Sequence, residues 1–143
     1  MTLAVGPDAL DQIRRHGESD YPHECCGLLI GSFAADGGKV AQEIFPISNA
    51  REEAAKRNRF LIAPADLMRG EKHARQRLLD VVGFYHSHPD HPAVPSAFDL
   101  EHAWPVYSYV IVSVRDGVAF DLFSYELRSD RSRFDAEDLV KGP

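Results

Sequence analysis

DVVGFYHSHPDHPAVPSAFDLEHA, residues 80–103, is the stretch that decides how this chain is read. Its opening, DVVGFYHSH at 80–88, reads as a strand. Pro89, Pro92 and Pro95 then break any regular ladder, because proline lacks the N–H that a ladder needs. Ser96 reopens order: Ser-Ala-Phe-Asp places an acid three residues after a capping hydroxyl, a helix-start pattern. The prediction is a strand, a turn-rich loop and a short helix. In a strand, side chains alternate between faces. His86 and His88 therefore share one face and Ser87 takes the other, while His91 lies in a turn where alternation does not place it.

Upstream, ALDQIRRHG reads as a short amphipathic helix opened by Pro7-Asp8, with Leu10 and Ile13 on one face and Gly17 as its stop. CGLLIGSF and KVAQEIFPI are two strands joined by the turn ADGG at 35–38. The charged segment 49–60 is expected to be a mobile loop, and FLIAP a short strand. PADLMRGEKHARQRLL is the longest helical pattern, with Leu67, Met68, Ala74, Leu78 and Leu79 towards one side. Downstream, YSYVIVSV and AFDLFSYEL flank Asp-Gly-Val as a hairpin. The tail RFDAEDLVKGP is expected to add a last helical turn. Hairpins mixed with helices predict an α/β (α+β) fold with a mixed sheet. Residues 1–143 are expected to form a single domain.

The 143 residues carry a formal net charge of −6 and no basic stripe, which argues against nucleic acid as a partner. No apolar run approaches the ~20 residues of a membrane span, and no signal-peptide pattern opens the chain. The two cysteines, Cys25 and Cys26, are adjacent, so a disulfide between them is strained. Both are expected to be reduced, which fits a cytoplasmic protein. Nucleotide-phosphate motifs are absent. The sequence carries no signal of oligomeric state.

Two imidazoles on one strand face can converge on a cation, and Asp99 can supply a third ligand. Three protein ligands leave a tetrahedral Zn2+ with one open position, the arrangement of catalytic zinc, which lowers the pKa of a bound water to about 7. Two histidines and a carboxylate also describe non-haem iron, although those sites need further open positions. Plainer readings stand beside this one. The His-x-His pair fits surface or packing histidines, and Ser96 and Asp99 fit a helix cap. Glu24, ahead of an apolar strand, offers a general base or simply a solvated strand end. Cys25 and Cys26 offer a thiol nucleophile or core packing. His16, His73 and His102 read as surface residues.

Taken together, Glu24-Cys-Cys-Gly and His86-Ser-His88-Pro, six residues, Ser96-Ala-Phe-Asp99 resemble the JAMM/MPN+ metalloprotease pattern, H-[ST]-H-P-x6-S-x2-D behind an early Glu. The resemblance spans residues 1–127 and is to the compact bacterial and archaeal members. It implies a cytidine-deaminase-like mixed β-sheet flanked by helices. It implies that His86, His88 and Asp99 bind Zn2+, that Glu24 is the general acid/base, and that Ser96 hydrogen-bonds the oxyanion. It further implies hydrolysis after the C-terminal Gly-Gly of a ubiquitin-like or sulfur-carrier protein of the ThiS/MoaD type. The charged 49–60 loop offers a contact to the carrier's body or is simply a solvated loop. A non-catalytic MPN-type scaffold and a cysteine-dependent hydrolase are the alternatives.

Overall fold

In chain order the computed structural model, which describes residues 2–49 and 62–143, holds ten elements. They are β1 (Thr2–Val5), α1 (Pro7–Asp20), β2 (Cys26–Phe33), β3 (Lys39–Ile47), α2 (Pro64–Gln76), β4 (Asp80–Pro89), α3 (Ala97–His102), β5 (Ser108–Arg115), β6 (Val118–Leu127) and β7 (Phe134–Lys141). The strand order is β1–β3–β2–β4–β5–β6–β7, and β7 pairs in parallel with β1, so the order returns on itself. β4 and β5 are parallel, whereas β2 is antiparallel to both β3 and β4. The sheet is therefore mixed, as the hairpins and helices predict, and helix-flanked.

Period-two alternation divides the core. Cys25 and Leu29 face the cluster under α1, which adds Ala9, Leu10 and Ile13. Cys26, Leu28 and Ile30 face the cluster under α2, which adds Ala74. Each fully buried aliphatic side chain contributes about 1.5–3 kcal/mol. The β5–β6 hairpin turns on Asp116 and Gly117, at φ 49° and 82°. Those left-handed angles suit a two-residue Asp-Gly turn, whose twist matches the flanking strands.

Four expectations are corrected. Gly17 does not stop α1, which continues to Asp20. It is buried where a Cβ would meet Val114, Val112 and Ser87 at 3.0–3.4 Å, so its small size serves packing. α2 ends at Gln76 and buries Gly70 and Ala74, leaving Met68 and Leu78 exposed. The tail is strand β7, not a helical turn, and β1 is a strand that the sequence reading leaves out. His16 is not a surface residue, since its Nδ1 lies 2.7 Å from the buried Tyr85 hydroxyl. The expectations for 49–60 and for a strand at 60–64 lie largely outside the described residues; Ile62 and Ala63 are not in a strand.

Candidate metal centre

β4 presents His86 and His88 on one face, with Ser87 turned to the other, where its Oγ accepts from the Cys25 amide at 2.8 Å. β2 runs antiparallel alongside, with Cys26 opposite His86. The Ser87 amide donates to the Cys25 carbonyl at 3.2 Å and extends that register, which brings Glu24 beside His88. Asn49 Nδ2 fixes the turn into the strand by donating to the Glu24 carbonyl at 3.2 Å. This support was missed because nothing in the local sequence links Asn49 to Glu24.

α3 delivers Asp99. The Asp99 amide donates to Ser96 Oγ at 3.1 Å, and the Ser96 amide donates to Asp99 Oδ2 at 2.8 Å, so the capping box is real. The cap also aims the carboxylate: Oδ1 lies 3.2 Å from His86 Nε2 and Oδ2 lies 3.2 Å from His88 Nε2. One side chain thus both caps α3 and lies within reach of the two imidazoles. Among the described residues, His86, His88 and Asp99 form the group whose ligand atoms all lie within 4.8 Å of one another.

The chemistry of these donors calls for a cation. His88 Nδ1 lies 2.9 Å from the Pro92 carbonyl, which can only accept. That contact puts a proton on Nδ1 and turns Nε2 to the site. There Nε2 faces Asp99 Oδ2 and, at 3.2 Å, His86 Nε2. Burial lowers the His86 pKa against the opposing pull of Asp99, so its imidazole is neutral. Burial pushes the Asp99 carboxyl up, but His86, His88 and the Ser96 amide outweigh it and hold it well below the usual carboxylate range. A neutral His86 imidazole and an ionised Asp99 carboxylate, converging with His88 within a few ångströms, suit a metal, which binds the deprotonated forms of its ligands.

Glu24, His88 and His91 share a cleft of about 640 Å3 with Pro92, Pro95 and Ser96. Glu24 is 4% exposed, which removes the reading of a solvated strand end. Burial first, and the negative charge of Asp99 second, push its pKa up to about 9. Ser96 Oγ accepts from the Asp99 amide, so its own O–H is left to donate. Cys25 and Cys26 are fully buried. Burial pushes the Cys25 thiol up to about 12 and raises Cys26 as well, so neither offers a thiolate at neutral pH. Core packing is their role, and the thiol-nucleophile alternative fails.

Residues 7–127 match the family described as prokaryotic homologs of the JAB domain. A desampylase of Haloferax volcanii is 36% identical over 116 residues, covering 78% of this chain and 80% of its own. A CysO-cysteine peptidase of Mycobacterium tuberculosis is 29% identical, covering 87% and 82% respectively. A solved solution structure from Salinibacter ruber is similar at 46% identity with a TM-score of 0.77, covering 97% of this chain and 91% of that one.

Proposed function

The chain belongs to the prokaryotic JAB family, and from that premise we propose that it is a Zn2+-dependent peptidase or isopeptidase. Its substrate is the amide bond after the C-terminal Gly-Gly of a ubiquitin-like or sulfur-carrier protein of the ThiS/MoaD type. The observation that carries this reading is the convergence of the His86, His88 and Asp99 ligand atoms within 4.8 Å of one another, with a protonatable carboxyl buried beside them. The named relatives are a desampylase and a CysO-cysteine peptidase, which supports hydrolysis of carrier-protein conjugates. Residues 1–143 form a single metallopeptidase domain in this reading, and the parallel β4–β5 pair between helix-covered faces supports a cytidine-deaminase-like sheet. Two buried free thiols suit a reducing, cytoplasmic compartment. No helix among the described residues is long and apolar enough to cross a membrane.

His86, His88 and Asp99 would hold the metal. Bound there, Zn2+ supplies Lewis acidity and lowers the pKa of a coordinated water to about 7. The protein's own residues do the rest. Glu24 takes the proton of the attacking water on a carboxylate oxygen and delivers it to the leaving nitrogen, which must be protonated to depart. A nearby cation opposes the burial and the Asp99 charge that hold Glu24 protonated, so metal loading readies it to accept that proton. Ser96 donates its O–H to the oxyanion that develops on the scissile carbonyl. The apolar cleft wall of Pro92, Val94 and Pro95 limits water around the reacting groups. A non-catalytic scaffold has no use for a carboxyl held at this depth beside three ligand atoms.

Elemental analysis of the purified protein is expected to find one zinc per chain. A carrier protein extended beyond its Gly-Gly is expected to be cut there, with activity lost to a chelator and restored by Zn2+. Glu24→Gln should keep the zinc and lose about 10²–10⁴ in rate. Full activity in Glu24→Gln, or a protein that binds no divalent metal, overturns the reading.

A further inference from the structure

The metal centre has a second apolar hollow on its other side. It measures about 220 Å3, and Leu67, Phe84, Phe98, His102, Trp104 and Tyr109 are among its walls. Phe98 lines both this hollow and the cleft that contains Glu24, so the two adjoin across its side chain. Phe84 precedes His86 by two residues on β4 and shares its face.

The walls are held from behind. Trp104 is 63% exposed, yet its amide donates to the Tyr109 hydroxyl at 2.8 Å and the Arg131 guanidinium lies 5.5 Å from its ring centroid. Arg131 also donates to the Ala103 carbonyl at 2.8 Å, which ties the β6–β7 loop to the end of α3. Tyr109 stacks on Phe84 with centroids 5.4 Å apart, and His102 stacks on Phe98 at 4.1 Å. An exposed indole with its backbone anchored and a guanidinium over its ring has met part of the ordering cost that a ligand would otherwise impose. Concave, apolar, pre-formed walls are the usual form of a small binding pocket.

Direction follows from the proton donor, and this step rests on the proposed function. Glu24 lies on the His88 side, so the leaving amine departs there. The acyl part of the substrate must then run the other way, past His86 towards Phe84. Two strand residues span about 7 Å, and so do two extended residues of a bound tail. A Gly-Gly pair ending at the metal centre therefore places the preceding residue over Phe84. We propose that this hollow is a specificity subsite that takes an apolar side chain, of leucine to phenylalanine size, on the residue immediately before the Gly-Gly. A charged side chain there would lose hydration against walls whose described residues are mostly apolar, with His102 the one basic side chain among them.

Trp104 is the only tryptophan in the sequence, so its emission reports the subsite directly. Zinc-loaded Glu24→Gln protein titrated with acetyl-Leu-Gly-Gly should show a saturable blue shift, at concentrations about tenfold or more below those for acetyl-Asp-Gly-Gly. Cleavage gives the second readout. A carrier ending Leu-Gly-Gly before its extension should exceed one ending Asp-Gly-Gly about tenfold or more in kcat/KM. Trp104→Ala should collapse that ratio and Trp104→Phe restore it. Equal kcat/KM for the two carriers, with unchanged Trp104 emission, overturns the subsite while leaving the zinc peptidase reading intact if Glu24→Gln still abolishes cleavage. A protein that cuts neither carrier overturns both.

Discussion

Glu24 keeps its proton because the fold removes its water and sets the Asp99 charge nearby, raising its pKa from 4.5 to about 9. Between those values the folded, metal-free protein binds a proton that the unfolded chain releases. Stability therefore falls as pH rises through this window. Glu24→Gln has no such proton to lose. Thermal melts of metal-free protein at pH 5, 7 and 9 are expected to show the variant gaining on wild type as pH rises, at about 4 °C per kcal/mol. A gap that stays constant with pH contradicts a protonated Glu24. At this scale the proposed ligands are legible in the sequence, because His-x-His on a strand and a Ser-x-x-Asp cap are both local patterns. Glu24 is not: 62 residues separate it from His86, and only the resemblance to a family ties them together. His16 is misread for the same reason, since Tyr85, its partner, lies 69 residues away.

β4 is the element that sets the site, and its position depends on how closely it approaches β5. Gly83 pairs with Ser108, and a Cβ built on it would lie 2.2 Å from the Ser108 carbonyl oxygen. A backbone oxygen cannot swing aside as a side-chain tip can. Gly83→Ala should therefore push the two strands apart, costing about 1–3 kcal/mol in denaturant unfolding. Because His86 and His88 lie three and five residues along the same strand, the variant should also release zinc more readily to a chelator. Retention of wild-type zinc affinity would show that β5 does not set the ligand geometry. The elements differ in how visibly the sequence encodes them. Apolar runs and the Asp-Gly turn expose β2 to β6 to a reading of periodicity. β1 has four residues and only parallel partners, so no turn marks it. β7 reads as a polar tail because its one fully buried residue is Glu137.

The reason β7 turns a glutamate inward lies in the whole molecule. Lys39 Nζ on β3 lies 2.6 Å from Glu126 on β6 and 3.2 Å from Glu137 on β7. The other Glu137 oxygen accepts from Ser108 on β5 at 2.6 Å and from Ser124 at 2.8 Å. One buried polar network thus ties four strands, including the last, which completes the return to β1. A hydrophobicity pattern cannot show it, so neither β7 nor the return of the sheet on itself is visible in the sequence. The network is also remote from the site. Ser108 pairs with Gly83 and Ser113 with His88, so five residues of strand, about 17 Å, separate it from His88. Removing Glu137 leaves Lys39 with Glu126 alone and leaves the buried Ser108 and Ser124 hydroxyls without their acceptor, a loss of about 1–3 kcal/mol. Glu137→Ala should show that loss in denaturant unfolding while keeping one zinc per chain and a kcat/KM within about twofold of wild type at temperatures where it stays folded. Loss of zinc in the folded variant would mean that the network and the metal centre are coupled through the sheet and are not independent parts of it.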